Sequence, residues 1–476
     1  MNRRRFLAAG AATACLAAFA PSAPAQARRR LIVAKRHIEV LGRPAEVYGI
    51  LDAEGRPGVF AAAGERFAAR IENRLSDPLT LHWHGQIKAA AEQDRSRPDG
   101  GAIAPGAADI HDFELTPGTH WMHAHTLHEQ RLLAAPMVAR EADAGDVRDV
   151  VVMLHDFSFR SPEELLAELT GGQGGHGAHG AHGAHGAQGG HAGHGGGPMG
   201  MMRGGGHGAP HANDIAYDAY LANDRTFDDP QIVRVARGER IRLRFINAAT
   251  ATAFFVETGA LAATLVAVDG TPILPHAAAR YPIAQAQRLD VIVEIPGDGG
   301  AFPIFAQVEA ARRRTGLILA TPGARIQRQL GEAAQIAPHA DLSLDAALRA
   351  RDPLPERQPA RVYRFVLGEN PDYEWTINGR VHHRAQPLTA RLGERVELQF
   401  MNPTRMMHPM HLHGHHFQVV ATRAGRFAGP VRDTVIVAPH SPVAVAVDFD
   451  KPGGWYLHCH HLYHMARGMM AEFHVA

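Results

Sequence analysis

Cysteine is nearly absent from this chain of 476 residues, which contains only Cys15 and Cys459. These two cannot build a disulfide framework, because Cys15 lies in a leader-like segment at the N-terminus. Cys459 is therefore the one thiol expected in the mature protein. A free thiol in an exported protein is prone to oxidation unless something holds it. Taken alone, Cys459 is either an inert buried residue or a metal ligand.

The chain also lacks net charge and long apolar runs. Its 49 Lys and Arg residues balance 48 Asp and Glu residues, so nothing in the charge favours binding to nucleic acid or to an anionic membrane. After the leader, no stretch reaches about eighteen apolar residues, the length that a transmembrane helix needs. The sequence therefore predicts neither a nucleic-acid partner nor a membrane span.

The N-terminus has the pattern of an export signal. RRRFL at residues 3–7 is followed by an Ala-rich apolar run and by APAQA at residues 23–27. This pattern is typical of a twin-arginine signal peptide, with a mature start near Arg28. The twin-arginine export machinery carries folded proteins to the bacterial periplasm, which is the predicted location. A lipoprotein anchor at Cys15 is the weaker alternative, because Ala12 stands where a lipobox has Leu.

A Gly-Glu-Arg tripeptide opens three segments, and each segment reaches an Asn nine residues after the Gly. The Gly residues are Gly64, Gly238 and Gly393, and the Asn residues are Asn73, Asn247 and Asn402. The intervening residues alternate apolar and polar, so each unit predicts a turn that leads into a half-buried strand. Short β-branched runs between Gly and Pro turns predominate elsewhere. The sequence therefore predicts an all-β chain of three homologous Greek-key sandwiches.

These units and the composition suggest the domain boundaries. We place the signal peptide at 1–27, domain one at 31–150, domain two at 213–335 and domain three at 358–476. The segment 171–211 carries eight His and three Met in a Gly-rich background, and we expect it to be disordered without a ligand. Because imidazole and thioether groups suit copper, this segment either captures copper or is a spacer that tolerates His.

Domains one and three share His-x-His pairs at matching distances from their Asn residues. The four pairs are His82 and His84, His123 and His125, His411 and His413, and His458 and His460. Residues two apart in a strand point to the same face, so pseudo-symmetric packing would bring eight imidazoles to one interface. The equivalent positions of domain two hold Val256, Thr258, Phe305 and Gln307. Domain two is therefore expected to keep the fold without copper.

A second ligand set is predicted around Cys459. His464 follows it by five residues, Met469 follows it by ten, and His408 lies upstream. Two imidazoles and a thiolate with a distant thioether form the blue-copper electron-transfer site. Zinc is the competing metal, but a Cys-His₂ zinc site needs neither an axial thioether nor eight adjoining His residues.

With these motifs in its repeats, the sequence resembles the multicopper oxidases. The resemblance implies cupredoxin-like domains and four copper ions, namely one type 1, one type 2 and a type 3 pair. By the family's pattern, the type 1 ligands would be His408, Cys459, His464 and Met469. The type 2 ligands would be His82 and His411. The type 3 ligands would be His84, His123, His125, His413, His458 and His460.

The resemblance also implies the reaction. Electrons from a reducing substrate enter at type 1 and pass from Cys459 to its neighbours His458 and His460. Four such electrons reduce O₂ to two waters at the remaining coppers. A two-domain copper nitrite reductase would lack the full set of eight His residues.

The sequence departs from the family in its acidic residues. Many relatives carry a carboxylate inside the C-terminal motif, where this chain has Leu462 or Met465. Asp99, in the turn after the HWHG motif, matches the family's other acidic position. Asp99 is therefore the predicted proton-relay residue, and an ordinary Asp-Gly turn is the alternative.

The ligand motifs do not specify the electron donor. Six Met residues surround the type 1 ligands in sequence, where they would suit Cu(I) docking or fill the core. They are Met401, Met406, Met407, Met410, Met465 and Met470. The His/Met-rich segment and the export signal favour a cuprous oxidase or laccase-like enzyme of copper tolerance. Phenol oxidation is the alternative or accompanying activity. The alternative is a copper-sequestering protein that works through the His/Met-rich segment.

Overall fold

The computed structural model describes residues 28–171 and 211–476. The predicted signal peptide and residues 172–210 of the predicted His/Met-rich segment lie outside the described residues. Within these two ranges strands predominate, and the three α-helices have 10, 5 and 5 residues. None of these helices is long and apolar enough to cross a membrane. The prediction of an all-β chain is confirmed.

The first sandwich contains two four-stranded sheets. Its strands are β1 (Arg29–Val40), β2 (Arg43–Leu51), β3 (Val59–Ala62), β4 (Arg66–Asn73), β5 (Leu81–His84), β6 (Ala108–Glu114), β7 (Gly118–Ala124) and β8 (Ala134–Arg140). The strand orders are β2-β1-β4-β6 and β3-β8-β7-β5. Alternation along β4 directs Phe67, Ala69 and Ile71 into the core. Two of the predicted His-x-His pairs begin on β5 and β7, which are neighbours in one sheet.

The second sandwich has sheets of six and five strands. Its strands are β9 (Arg148–Phe157), β10 (Ala219–Ala222), β11 (Gln231–Arg234), β12 (Arg240–Asn247), β13 (Phe254–Glu257), β14 (Ala263–Val268), β15 (Thr271–Ala277), β16 (Arg280–Ile283), β17 (Arg288–Glu294), β18 (Ala301–Val308) and β19 (Arg314–Ala320). The orders are β10-β9-β12-β17-β14-β15 and β11-β19-β18-β13-β16. Helix α1 (Pro162–Gly171) follows β9, and α2 (Ser343–Ala347) follows the last strand.

Strand β9 crosses the boundary that the sequence suggested at residue 150. It pairs in parallel with β12, and its residues Val152 and Leu154 pack into the core of the second sandwich. The stretch 148–157 therefore belongs to the second sandwich, although it precedes the Gly-rich segment. The sequence did not indicate this, because β9 lies outside the repeated Gly-to-Asn unit.

The third sandwich carries the C-terminal motifs. Its strands are β20 (Arg361–Asn370), β21 (Glu374–Ile377), β22 (Leu388–Ala390), β23 (Glu394–Met401), β24 (His408–Leu412), β25 (Phe417–Thr422), β26 (Gly425–Arg426), β27 (Val431–Arg432), β28 (Thr434–Val437), β29 (Pro442–Phe449), β30 (Gly453–Cys459) and β31 (Met470–Val475), with α3 (Leu462–Ala466). One sheet has the order β21-β20-β23-β29-β25-β26, with β27 beside β25. The other has the order β22-β31-β30-β24-β28.

The three repeated Asn residues have the same structural role. Each is fully buried at or beside the end of a strand and donates hydrogen bonds from its side-chain amide to two backbone carbonyls. The acceptors are Asp77 and Ile103 for Asn73, Thr252 and Ile283 for Asn247, and Met406 and Val437 for Asn402. The Gly residues that open the units have φ of 76°, 70° and 79°, a left-handed conformation that favours glycine. The repeat is therefore a turn followed by a strand, and a buried Asn side chain at its end binds two backbone carbonyls.

Candidate metal centre

Matching registers bring the His-x-His pairs together in both terminal sandwiches. In the first sandwich β5 pairs antiparallel with β7, so that His82 lies opposite His123. In the third sandwich β24 pairs antiparallel with β30, so that His411 lies opposite His458. Each sandwich therefore presents a similar patch of imidazoles, and the two patches face each other.

The eight imidazoles form three overlapping groups between the first and third sandwiches, and His84 belongs to two of them. One group centres on His82 and His411, whose Nε2 atoms are 3.2 Å apart. In each of the other two groups, one ligand nitrogen per residue lies within 4.8 Å of the others. These groups are His84, His123 and His460, and His125, His413 and His458. Every group takes members from both sandwiches, so neither sandwich alone can complete it.

Burial disfavours the charged form of several of these imidazoles and leaves ligand atoms unpaired. Desolvation lowers the pKa of His82 to about 3 and the pKa of His84 and of His460 well below the usual value. Among the described residues, no hydrogen-bond partner reaches His84 Nδ1, His123 Nε2 or His460 Nε2. An unpaired buried polar atom costs about 1–3 kcal/mol, whereas a neutral imidazole nitrogen is a metal ligand. These three atoms belong to one group, so the group fits a metal ion.

Cys459 belongs to a separate set with His408 and His464. Its Sγ lies 3.7 Å from His408 Nδ1 and 3.8 Å from His464 Nδ1, and the two nitrogens are 3.3 Å apart. Met469 is fully buried, and its backbone carbonyl accepts a hydrogen bond from the Cys459 N–H. Burial raises the pKa of the Cys459 thiol, so a thiolate here needs a bound cation. A soft thiolate with two imidazoles suits copper.

Asp94, rather than Asp99, is the carboxylate that reaches the imidazoles. His82 Nδ1 donates a hydrogen bond to Asp94 Oδ2 at 2.7 Å, and His413 Nδ1 lies 3.5 Å from the same oxygen. Burial alone would raise the pKa of Asp94, but these two histidines outweigh it and hold the pKa well below its usual value. The side chain of Asp99 is 81% exposed and pairs with Arg97. The structure therefore does not bring the predicted relay residue to the cluster.

Two further carboxylates lie behind the imidazoles, and the sequence did not indicate either. Glu129 Oε2 lies 3.2 Å from His123 Nδ1, and burial raises the pKa of Glu129. Asp433 Oδ1 accepts a hydrogen bond from His84 Nε2 at 3.1 Å. A carboxylate behind an imidazole fixes its tautomer and its orientation. In His123 and in His84 the carboxylate contacts one ring nitrogen, so the other ring nitrogen remains free to bind a metal.

The second sandwich contributes a buried arginine to this arrangement. Arg288 donates from Nη1 to Asp433 Oδ1 at 2.8 Å and from Nη2 to Asp433 Oδ2 at 2.5 Å. Both side chains are almost completely buried. Asp433 therefore joins an imidazole of the first sandwich to a guanidinium of the second, and all three sandwiches contribute to the position of His84.

Replacing Arg288 with Met should destabilise the fold and weaken metal retention. The change leaves Asp433 as a buried charge without its main partner, which costs about 3–5 kcal/mol, and it releases the carboxylate that orients His84. Denaturant unfolding and metal content per chain measure the two effects. Arg244→Met is the matched control, because Arg244 is an equally buried arginine of the second sandwich but pairs with Glu141, Asp149 and Asp290. Equal metal loss in both variants would contradict a specific role for Arg288.

His464 is held between two aromatic rings. Trp375 and His461 both stack on it with ring centroids 3.7 Å away, so they must cover opposite faces. The remaining Nε2 edge lies 3.4 Å from Asp214 Oδ2, which also accepts a hydrogen bond from Tyr373. Asp214 is a third carboxylate that the sequence did not indicate, because its only local signal is its position just after the Gly-rich segment.

Comparisons with known proteins agree with this geometry. Three family models, each described as multicopper oxidase, match residues 33–142, 148–327 and 355–476. The chain is 31% identical over 431 residues to the multicopper oxidase MmcO of Mycobacterium tuberculosis, covering 87% of this chain and 80% of that protein. It is 26% identical over 514 residues to a copper resistance protein A homolog of Pseudomonas syringae pv. tomato, covering 87% and 86%.

The same likeness extends to solved structures. The laccase from Botrytis aclada matches with a TM-score of 0.74 at 22% identity, covering 93% of this chain and 86% of the laccase. This likeness confirms the predicted fold of three cupredoxin-like domains. By its three matched family models and its relatives, the chain belongs to the multicopper oxidase family of copper-dependent oxidoreductases.

Proposed function

We propose that this enzyme oxidises Cu(I) or phenolic donors one electron at a time and reduces O₂ to water, in periplasmic copper tolerance. Relatives named copper resistance protein A and laccase support the two donor classes. The RRRFL pattern at residues 3–7 supports periplasmic export by the twin-arginine route.

The proposal assigns four copper ions to the ligand sets described above. His408, Cys459, His464 and Met469 would hold type 1, and His82 and His411 would hold type 2. The type 3 pair would be held by His84, His123 and His460 and by His125, His413 and His458. The grouping of the ligand nitrogens supports this division.

The course of β30 is the observation that carries the proposal. Successive side chains of a strand point to opposite faces, so Cys459 points away from His458 and His460. His458 and His460 enter two different imidazole groups, while Cys459 faces His408 and His464. One short stretch of backbone therefore joins the thiolate set to both imidazole groups.

Bound copper would supply the one-electron transfers and the reduction of O₂, and the protein orients ligands and handles protons. Asp94 stays ionised and keeps His82 in the tautomer whose Nε2 faces the cluster. Glu129 can hold a proton on Oε1, which has no hydrogen-bond partner among the described residues and lies 3.9 Å from His460 Nδ1. Glu129 thus supplies the carboxylate that is missing at Leu462 and Met465.

Oxygen uptake tests this function directly. Copper-loaded protein should consume O₂ catalytically with Cu(I) or with a phenol, using four one-electron donors for each O₂. Mn(II) measured alongside shows how far the enzyme selects among metal donors. Stoichiometric copper binding without O₂ consumption would instead support the copper-sequestering alternative and would reject the oxidase.

A further inference from the structure

The buried Asn of the third repeat is connected to one imidazole of the thiolate set. Thr404 Oγ1 lies 2.7 Å from Asn402 Oδ1 and 2.8 Å from Nε2 of His408. The other ring nitrogen of His408, Nδ1, lies 3.7 Å from Cys459 Sγ. A series of hydrogen bonds therefore runs from Asn402 through Thr404 to the ring nitrogen of His408 that does not contact Cys459.

The amide of Asn402 fixes the direction of each hydrogen bond in this series. Its Nδ2 donates to two backbone carbonyls, so Oδ1 is the amide oxygen and can only accept. The Thr404 hydroxyl therefore donates to Oδ1, and its oxygen accepts a hydrogen bond from His408 Nε2. His408 then carries its proton on Nε2, and its Nδ1 presents a lone pair towards Cys459.

The first two repeats lack this connection. Thr404 is the second residue after the buried Asn, and His408 is the sixth. The corresponding residues are Leu75 and Leu79 in the first repeat and Ala249 and Ala253 in the second. In all three repeats the backbone N–H of the second residue donates to the Asn Oδ1, at 2.9, 3.1 and 2.9 Å in chain order. The shared turn therefore places this residue alike in each repeat, and the third repeat adds a hydroxyl there together with the imidazole.

We propose that Thr404 is a positioning residue for type 1 copper, and that its hydroxyl holds His408 in the tautomer and orientation that present Nδ1 to the ion. The inference rests on the type 1 set of the proposed function and adds a residue that acts through His408. A hydrogen bond to the far nitrogen of a ligand imidazole fixes the tautomer and the ring orientation. Without the hydroxyl, Nε2 loses this acceptor, so the ring can carry its proton on Nδ1 or rotate.

Thr404→Val tests the proposal, because valine keeps the shape of threonine and removes the hydroxyl. The variant should bind type 1 copper about 10–100-fold more weakly, the usual cost of losing such a partner. The blue absorption of oxidised holoenzyme during titration with a copper chelator measures this affinity. The type 2 electron paramagnetic resonance signal should persist, because Thr404 contacts none of the eight clustered imidazoles in the geometry above.

Two further variants separate positioning from general stability. Thr404→Ser restores the hydroxyl and should restore most of the affinity for type 1 copper. Thr422→Val is the matched control, because Thr422 is also half-buried in the third sandwich. Its hydroxyl likewise accepts a hydrogen bond from the backbone N–H two residues later, but its described contacts include no candidate ligand.

The outcomes distinguish this inference from the proposed function. Unchanged copper retention in Thr404→Val, or equal loss in Thr404→Val and either further variant, would overturn the role of Thr404. A copper-loaded wild type without blue absorption would instead reject the type 1 set itself.

A second measurement does not depend on bound copper. Neutron diffraction from copper-free crystals exchanged into D₂O should show deuterium on Nε2 of His408, with the Thr404 hydroxyl deuterium directed at Asn402 Oδ1. In Thr404→Val, deuterium should appear on Nδ1 or the ring should change its orientation. Deuterium on Nδ1 of His408 in the wild type would overturn the proposal even if copper retention had changed.

Discussion

Cys459→Ser should abolish the intense blue absorption of the copper-loaded protein and lower O₂ uptake at least about a thousandfold, or about 4 kcal/mol in activation free energy. The blue colour would come from the Cys459 thiolate bound to copper together with His408 and His464 in the proposed type 1 set. A serine hydroxyl at this fully buried position would stay protonated and cannot replace the thiolate. Absorption spectra and O₂ uptake of matched copper-loaded samples measure both effects.

The same variant separates the two metal sets. None of the eight clustered imidazoles contacts Sγ of Cys459 in the geometry above, so their copper ions should be retained. Copper content should fall by about one ion per chain, and the type 2 electron paramagnetic resonance signal should persist. If the intense blue absorption remains in Cys459→Ser, the assignment of type 1 is wrong.

The parts of the fold that are determined by short sequence patterns could be predicted. The spacing from Gly to Asn predicts a strand because the turn, the alternating apolar and polar residues and the buried Asn at the end all lie within about ten residues. Matching His123 and His125 with His458 and His460 also aligns Ala124 with Cys459. In the structure these two residues hold equivalent register positions beside Leu81 and Met410. The boundary at residue 150 could not be predicted, because β9 joins its sandwich through long-range pairing with β10 and β12.

The clustering of the candidate ligand histidines could be predicted for a similar reason, but their carboxylate partners could not. A His-x-His pair is a local feature whose geometry follows from the strand. Asp433 reaches His84 from 349 residues away, and Arg288 reaches Asp433 from 145 residues away. Contacts between residues so far apart produce no periodic pattern in the sequence. Glu129 lies only six residues from His123, yet it depends on the turn at Leu127–Arg131 that directs it inward.

Asp94→Asn should lower kcat about 10–100-fold, the usual cost of losing a carboxylate behind metal-bound histidines. The amide keeps the shape of the side chain but removes the charge that faces both His82 and His413. Because His82 and His413 sit in two different imidazole groups, copper content and the type 2 resonance signal should change together with kcat. KM for the donor should change little, because Asp94 does not belong to the proposed type 1 set, where we expect donors to be oxidised.

Asp99→Asn is the decisive comparison for this prediction. Asp94 and Asp99 lie in one loop, and the sequence pattern favoured Asp99, yet its exposed side chain contacts only Arg97 among the contacts described above. Its kcat should stay within about twofold of the wild type, as expected for an exposed ion pair worth less than about 1 kcal/mol. Since the pKa of Asp94 lies well below its usual value, the Asp94→Asn deficit should be constant from about pH 5 to pH 8. A larger deficit in Asp99→Asn than in Asp94→Asn would restore Asp99 as the relay and would contradict the role of Asp94 in orienting His82.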